Sequence, residues 1–245
     1  MSKLQKLVFF ITNPGAVLGL LTWPRFSMTS YRMLSALKKQ KLEFKTVLDV
    51  GANVGQFTVA SLKLFPGVTI HAFEPQPDCM TSLKKSIKDE GNVTTYNVAL
   101  GEYEGTADFH VNSHNHSSSI LKLADSHLQA FPEAKESESI SVRVTMLDSL
   151  LKEKAWPRPC LMKLDVQGYE RCVLQGGVET LKDVDFVIIE TSFKPLYEGE
   201  ALFLEMVEIM RSHGFEFVRP VGWLMHPETE EMLQMDALFS KLVST

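Results

Sequence analysis

Two acidic residues at the ends of apolar runs are the side chains best placed to do chemistry. Asp165 lies near the end of the run 161–166, and Glu190 directly follows the run 186–189. Apolar runs of this length predict buried parallel strands, whose carboxyl ends meet at one edge of a sheet. We therefore expect both carboxylates to face one crevice, where burial raises a carboxyl pKa and suits the group to accept a proton. Asp165 also fits a second interpretation, the capping of the helix that follows it.

A second candidate site is the loop within the stretch 46–55, TVLDVGANVG. The apolar residues of this stretch predict a buried strand, and residues 56–65 predict a helix that Pro66 and Gly67 end. Backbone N–H groups and the positive end of the helix dipole then face whatever binds above the sheet. The residues of interest around this loop are Asp49, Gly51, Asn53, Gly55 and Phe57.

The glycine spacing of this loop narrows the choice of ligand. A dinucleotide fingerprint requires glycines where Asn53 and Gln56 stand, so the loop is a poor pyrophosphate site. The loop is a better fit to a cofactor that presents an amino-acid group to it. Asp49 could then accept a hydrogen bond from the ammonium of that group. Glu74 ends the apolar run 68–73 and is placed to bind both hydroxyls of a ribose. Such an acid occurs in sites for NAD and in sites for S-adenosylmethionine, so the acid does not distinguish the two cofactors. The loop does.

Several strings occur in the order and at the spacings of one protein family. They are VLDVGANVGQF, HAFEPQP, NVALG, MKLDVQGYE, VIIETSF, PLYEGE and MDALF. On these strings the chain resembles the FkbM-type S-adenosylmethionine-dependent methyltransferases over residues 44–240. It departs from the family pattern at Gln167, where many members have Glu. The second acid of that string is therefore missing, whereas Asp165 is retained.

The resemblance implies a fold, a domain organisation and a cofactor. The fold is the Rossmann-like class I methyltransferase fold of the α/β class. It has a seven-stranded, mostly parallel sheet with an antiparallel last strand, and helices on both faces. Residues 45–245 form the methyltransferase domain, preceded by a helical arm, 1–44. The cofactor is S-adenosyl-L-methionine, and the residues expected to bind it are Asp49, Gly51, Asn53, Gly55, Phe57, Glu74, Pro75, Asn97, Ala99 and Asp165.

Two further parts of the predicted sheet bear on the site. The third strand is predicted over 93–100, with Asn97 near the adenosine; a structural role for Asn97 as a strand cap is the alternative. The last two strands are predicted over 215–221 and 235–239, joined as a hairpin through Gly222 and the turn that follows.

Residues 101–146 interrupt the alternation of strand and helix. Within them, 105–111 and 140–146 have strand-like composition and flank a polar stretch rich in serine and histidine. The three histidines within 110–116 lack a carboxylate or cysteine partner at ligand spacing, so we expect no metal site. Similarity to the family instead suggests a mobile lid over cofactor and acceptor, formed by His116, Ser117, Ser118 and Ser119.

Composition bounds the partners and the compartment. With 245 residues and 44% apolar content, the chain can form one α/β domain with a substantial core. Its net charge of −5 argues against nucleic acid as a partner. Three cysteines without CxxC spacing favour a reducing compartment, and we expect the cytoplasm.

The N-terminal segment 7–23 is strongly apolar but is interrupted by Asn13, Pro14 and Gly15. Neither half approaches the ~20 residues that a membrane span requires, and no small-residue cleavage pattern follows. We interpret the segment as an amphipathic arm that packs on the domain or on a partner, such as a second copy of the chain. Association with a membrane surface is the alternative.

These patterns together favour an S-adenosylmethionine-dependent O-methyltransferase. The expected acceptor is a hydroxyl of a sugar, a polysaccharide or a secondary metabolite, with Asp165 or Glu190 as the base or as the ligand of that hydroxyl. Two alternatives are a cofactor-binding protein without catalysis and an N-methyltransferase on a small molecule. A nucleic-acid amino-methyltransferase is disfavoured because LDVQGYE lacks a Pro-Pro-Tyr-like string.

Overall fold

The computed structural model describes residues 3–88, 90–112, 118–131, 136–152, 155–226 and 228–242. The strands in these ranges are β1 Thr46–Val50, β2 Thr69–Phe73, β3 Val93–Tyr96, β4 Ala99–Leu100, β5 Gly105–Asn112, β6 Glu136–Thr145, β7 Cys160–Leu164, β8 Phe186–Ser192, β9 Phe215–Met225 and β10 Met232–Lys241. The α-helices are α1 Lys3–Thr12, α2 Pro14–Thr22, α3 Met28–Lys39, α4 Gln56–Leu64, α5 Pro77–Ile87, α6 Asp125–Ala130, α7 Leu147–Leu151, α8 Glu170–Gln175 and α9 Phe203–Ser212.

The main sheet has the strand order β3-β2-β1-β7-β8-β10-β9. Strand β10 runs antiparallel to both of its neighbours, and the pairs from β3 through β8 are parallel. The predicted seven-stranded sheet with an antiparallel last strand is therefore confirmed within the described residues. The strand order reverses at β1, which is where open α/β sheets bind their ligands.

Alternating side chains divide the core into two layers. Val47 and Leu161 point to the face that α3, α4 and α5 cover, where Leu34 of α3 is fully buried. Leu48 and Leu164 point to the opposite face, which is covered by α7, α8 and α9. This alternation follows from the two-residue period of a strand. It confirms the prediction of helices on both faces.

The third predicted strand, 93–100, is wrong as one element. The chain breaks at Asn97, whose side-chain amide donates to the carbonyl oxygens of Glu74 (2.8 Å) and Pro75 (3.0 Å). Only β3 remains in the main sheet, while β4 pairs with β6 in a second sheet. A side chain that bonds to neighbouring backbone competes with the sheet ladder for those groups.

The second sheet contains the insertion. Its order is β4-β6-β5, and β5 and β6 are antiparallel. The strand-like runs predicted at 105–111 and 140–146 are therefore strands, and the second begins earlier, at Glu136. Phe109, Val142 and Val144 form a small core with Ala99 between the strands.

The last hairpin turns later than predicted. Gly222 and Trp223 belong to β9 and pair with Asp236 and Met235 of β10. The turn closes between His226 and Glu231, where the His226 N–H donates to the Glu231 carbonyl at 2.7 Å. The sequence predicted a turn at Gly222 because glycine is common in turns. In the structure Gly222 lies opposite Asp236, whose carboxylate occupies the space that a Cβ would take.

The N-terminal segment contains helices α1, α2 and α3. Helices α1 and α2 are short, and no helix in the described part of the chain is long and apolar enough to cross a membrane. Helix α3 packs on the main sheet through Leu34 and Leu37. The domain boundary at residue 44 stays a prediction.

Candidate active site

A cavity of about 370 Å³ lies at the carboxyl ends of the central parallel strands. It opens where β1 pairs with β2 on one side and with β7 on the other. Nine of the residues predicted from sequence line it: Gly51, Asn53, Phe57, Glu74, Pro75, Ala99, Ser118, Asp165 and Glu190. The structure thus brings together residues that lie up to 139 positions apart in the chain.

The other predicted site residues support the wall or lie elsewhere. Among the described residues, Asp49, Gly55 and Asn97 are not part of the cavity wall. Ser119 is buried, and its hydroxyl donates to the Gln167 carbonyl at 2.7 Å. His116 and Ser117 lie outside the described residues, so the lid role of this segment stays a prediction.

Gly51 is required by a close backbone approach. It adopts φ +80°, and a Cβ at this position would lie 1.9 Å from the Asp165 carbonyl oxygen. No L-residue fits there without moving β1 away from β7, because that distance is far below van der Waals contact. Gly55 also has a positive φ, +91°, and forms the N-cap of α4. The loop therefore keeps a tight path between β1 and α4.

Asp49 places a buried carboxylate beneath this loop. It is fully buried, and its Oδ2 accepts from the Thr58 hydroxyl at 2.5 Å. Its Oδ1 has no hydrogen-bond partner in the described structure. Burial raises the pKa of Asp49, and the nearby ammonium of Lys163 opposes that rise. A cationic group bound above the loop would offset the cost of this charge.

Glu74 fixes the opposite side of the loop. Its two carboxylate oxygens accept from the backbone N–H groups of Asn53 and Gln76, each at 2.8 Å. Burial raises the pKa of Glu74 to about 7, against those two hydrogen bonds. The side-chain amide of Asn97 also stabilises this segment, because it donates to the carbonyl oxygens of Glu74 and Pro75. Each carboxylate oxygen retains a lone pair for a hydroxyl in the cavity.

Three carboxylates surround one ammonium group at the end of the cavity beneath β7, β8 and β10. Lys163 Nζ donates to Asp165 Oδ2 at 2.5 Å, and the Asp165 side chain is 29% exposed. Leu164 pairs with Ile189, which sets Asp165 beside Glu190, and Glu190 pairs with Asp236. We call these four residues, Lys163, Asp165, Glu190 and Asp236, the acid cluster.

Gln167 holds two members of the acid cluster together. Its Nε2 donates to Asp165 Oδ1 at 2.7 Å and to Glu190 Oε2 at 2.6 Å. Its Oε1 accepts from the hydroxyl of the buried Tyr197 at 2.5 Å. The backbone has φ +57°, which is uncommon for a residue other than glycine. The departure from the family pattern thus places an amide donor between two acids.

The charges of the acid cluster shift one another's pKa values. Burial alone would lower the pKa of Lys163, but the carboxylates of Asp165, Asp236 and Asp49 outweigh it and raise that pKa. Burial, followed by the charges of Asp165 and Asp236, raises the pKa of Glu190 well above its ordinary value. Burial raises the pKa of Asp236 to about 7, although Lys163 opposes it. Of these groups, Asp236 is therefore the one whose pKa lies near neutral pH.

Two side chains fix the turn that carries Gln167. They are the buried Glu170 and Ser119, whose hydroxyl donates to the Gln167 carbonyl. Glu170 Oε1 accepts from the N–H groups of Val166 at 2.9 Å and Gly168 at 3.3 Å. Burial raises the pKa of Glu170 to about 8. Helix α8 begins at Glu170 with Tyr169 as its N-cap, so the capping role considered for Asp165 is wrong. Asp165 instead lines the cavity.

Sequence reasoning missed several wall residues. Lys163 carried a readable signal, because it lies two positions before Asp165 and strand residues two apart share a face. Asp236 reaches the site only through the register of β10 with β8, which no local pattern reveals. Helix α3 contributes Ser30 and Met33 to the wall, together with Ser27 and Thr29 from its first turn. Their place depends on tertiary packing.

The residues present fit S-adenosylmethionine. Glu74 supplies an acceptor for a ribose, and the unpartnered oxygen of Asp49 supplies negative charge beneath the end that would hold an ammonium. Phe73, Val98 and Leu100 provide an apolar part of the wall suited to an adenine. A doubly wound sheet with an antiparallel strand β10, and a site of this composition at its switch point, define a class I methyltransferase.

Comparison with known sequences identifies the family. The methyltransferase FkbM domain matches residues 49–217, and the chain belongs to this family, whose cofactor is S-adenosylmethionine. It is 27% identical over 201 residues to 2-O-methyltransferase NoeI of Sinorhizobium fredii, covering 80% of this chain and 81% of that protein. It is 26% identical over 196 residues to 31-O-demethyl-FK506 methyltransferase FkbM of Streptomyces tacrolimicus, covering 70% and 73%.

A solved structure supports the fold. Magnesium protoporphyrin IX methyltransferase (ChlM) from Synechocystis PCC 6803, with S-adenosylhomocysteine bound, aligns with a TM-score of 0.50. The alignment covers 87% of this chain and 82% of that one, at 9% sequence identity. The likeness is one of architecture.

Proposed function

We propose that this chain is an O-methyltransferase that acts on a hydroxyl group of a sugar, a polysaccharide or another hydroxylated metabolite. The observation that carries the proposal is the acid cluster, which lines the same cavity as the residues that fit the cofactor. A hydroxyl loses its proton when its oxygen is methylated. A carboxylate at the edge of a cavity is suited to take that proton, and burial raises the pKa of two members of the cluster, Glu190 and Asp236.

The side of the cavity formed by β1 and β2 is the proposed cofactor side. Glu74 would bind the ribose hydroxyls, Asp49 would provide charge complementary to the ammonium group, and Ala99 would form part of the wall for the adenine. When bound, S-adenosylmethionine supplies a methyl group on a positively charged sulfur. Glu74 has a second task, because its bonds to the N–H groups of Asn53 and Gln76 hold the binding loop in place before any ligand arrives.

The acid cluster forms the proposed acceptor side. Asp165 binds the acceptor hydroxyl and takes up its proton, while Lys163 and Gln167 hold its carboxylate from two directions. Glu190 binds beside it and fixes the acceptor through a second hydroxyl. Alignment of this kind can supply on the order of 7 to 11 kcal/mol, and a positioned base adds about 10²- to 10⁴-fold in rate.

The names of the relatives support oxygen as the acceptor atom. One is a 2-O-methyltransferase, and another methylates 31-O-demethyl-FK506. Both names specify an oxygen. At 26–27% identity the relatives do not define the acceptor molecule, so the proposal is for a hydroxyl-bearing compound rather than for either named substrate.

The direct test is a transfer assay with isotope-labelled S-adenosylmethionine and paired acceptors. Each pair consists of a hydroxylated compound, such as a glycoside, and its amino counterpart at the same position. We expect label to move to the hydroxyl member, and nuclear magnetic resonance of the product to show an O-methyl group. Transfer to the amino members alone would contradict the proposal and support the N-methyltransferase alternative.

A further inference from the structure

Helix α2 is lined with small residues on its inner side. A Cβ added at Gly15 would lie 2.6 Å from the Tyr31 hydroxyl oxygen, and one added at Gly19 would lie 2.8 Å from the Phe26 ring. Ala16, between them, is fully buried. The small residues of α2 therefore face the rest of the protein, and its bulky residues lie on the outer side.

The outer sides of α1 and α2 expose large aliphatic side chains. Leu21 is 77% exposed, Ile11 71% and Leu18 61%. The full set is Leu7, Val8, Ile11, Val17, Leu18, Leu20 and Leu21. Helical spacing places them on one side of each helix. Aliphatic side chains concentrated in this way mark a binding surface, which we call the apolar face.

Both helices turn the apolar face away from one shared aromatic cluster. Phe9 of α1 packs on Tyr31 at 6.1 Å between ring centroids, and Phe10 packs on Phe26 at 6.4 Å. Trp23, at the end of α2, packs on Phe26 and Tyr31 at 5.7 and 5.8 Å. The cluster fixes the two helices to the start of α3, so the apolar face is a property of the folded chain.

The charge of this part of the chain indicates what covers the apolar face. Residues 1–42 contain seven basic residues and no acidic ones: Lys3, Lys6, Arg25, Arg32, Lys38, Lys39 and Lys41. The other 203 residues carry 18 basic and 30 acidic side chains. A second copy of the chain seated there would bring two positive segments together. An anionic surface would instead be complementary to them.

We propose that α1 and α2 dock the protein on an anionic membrane surface. Their 10 and 9 residues are too short to span a bilayer, but apolar helices with nearby basic residues insert into the headgroup region in the plane of the membrane. The aliphatic side chains enter the acyl boundary, and Trp23 lies at the level where tryptophan is favoured. The net positive charge of residues 1–42 attracts this segment to the anionic headgroups.

Helix α2 is joined to the wall of the cavity by a short segment of chain. Ser27, which caps α3 and lines the cavity, follows the last residue of α2, Thr22, by five positions. Five residues span at most about 18 Å. Docking therefore holds the cavity close to the membrane surface, where an acceptor attached to a lipid could reach it.

The test is flotation of the full chain with vesicles of phosphatidylcholine alone and of phosphatidylcholine mixed with phosphatidylglycerol. We expect binding to the mixed vesicles only, weakened by added salt. The double variant Leu18→Ser/Leu21→Ser should weaken that binding roughly 100-fold, because two exposed leucines lose their apolar contact. Leu204→Ser is the matched control, since Leu204 is 75% exposed on α9, outside the apolar face. It should bind as the parent chain does.

Three outcomes would overturn the proposal. They are equal binding of the double variant and its parent, equal binding to both kinds of vesicle, and no binding to either. Sedimentation of the protein without vesicles tests whether a second copy of the chain covers the apolar face. A dimer that the double variant abolishes, together with no vesicle binding, would show that the apolar face joins two chains. Circular dichroism checks that each variant is folded, which we expect because the substituted side chains are exposed.

Discussion

At the scale of single residues, Gln167 explains how two acids are held side by side. Its amide nitrogen has two hydrogens and donates to Asp165 and to Glu190, while Tyr197 fixes its oxygen. A glutamate at this position would need a proton to make either contact. The departure from the family pattern is therefore compatible with the proposed chemistry, because a donor relieves repulsion between the two carboxylates.

The first prediction concerns Glu74. Glu74→Ala removes the acceptor for two loop N–H groups and for a ribose, so we expect S-adenosylhomocysteine to bind about 10- to 100-fold more weakly, as for the loss of charged hydrogen bonds. Isothermal calorimetry measures the change. Glu208→Ala, at an exposed position of α9, is the control and should bind normally. Unchanged affinity of Glu74→Ala would contradict its placement at the cofactor.

At the scale of elements, the apolar runs predicted the strands that deliver the site. The strands β1, β2, β7 and β8 could be predicted because a buried parallel strand reads as a continuous apolar run. The break at Asn97 could not, because two side-chain hydrogen bonds decide it. Asp236 and α3 also escaped prediction, since strand register and helix packing are set by the whole fold.

The second prediction concerns the space opposite Asp236. A Cβ at Gly222 of β9 would lie 2.2 Å from Asp236 Oδ2 and 3.0 Å from the Met33 methyl carbon. Gly222→Ala should therefore displace the carboxylate, cost about 1 to 3 kcal/mol in stability and lower turnover. Steady-state kinetics and urea unfolding measure the two effects.

Gly91→Ala is the matched control for that change. No atom lies within 4 Å of a Cβ at Gly91, and its φ is not positive, so the substitution should leave turnover and unfolding close to those of the parent. If Gly222→Ala behaves in the same way as Gly91→Ala, β9 does not position the acid cluster.

At the scale of the whole molecule, buried acids make stability depend on pH. The pKa of Glu74 and of Asp236 is raised to about 7, and that of Glu170 to about 8. Below about pH 4 these groups are protonated in both the folded and the unfolded chain. Between that pH and about 8 the unfolded chain loses the protons first. Ionisation then favours unfolding, so stability falls as pH rises through this window.

The third prediction isolates Glu170. Glu170→Gln keeps an oxygen for the N–H groups of Val166 and Gly168 but removes the titration. We expect its free energy of unfolding to match the parent near pH 4.5 and to exceed it by on the order of 4 kcal/mol near pH 8, since the pKa is raised from 4.5 to about 8 and each pKa unit is worth about 1.4 kcal/mol. Urea titrations over this range give the slopes. Parallel slopes for variant and parent would show that Glu170 does not carry a raised pKa.

The measurement that bears most directly on the proposed function compares turnover and cofactor affinity in Asp165→Asn. We expect methyl transfer to a hydroxylated acceptor to fall by about 100-fold or more, because the base is lost. The dissociation constant of S-adenosylhomocysteine should change by less than roughly threefold, below 1 kcal/mol. Asp183→Asn, at an exposed position, should retain both values. Parental turnover in Asp165→Asn would contradict proton removal by the acid cluster.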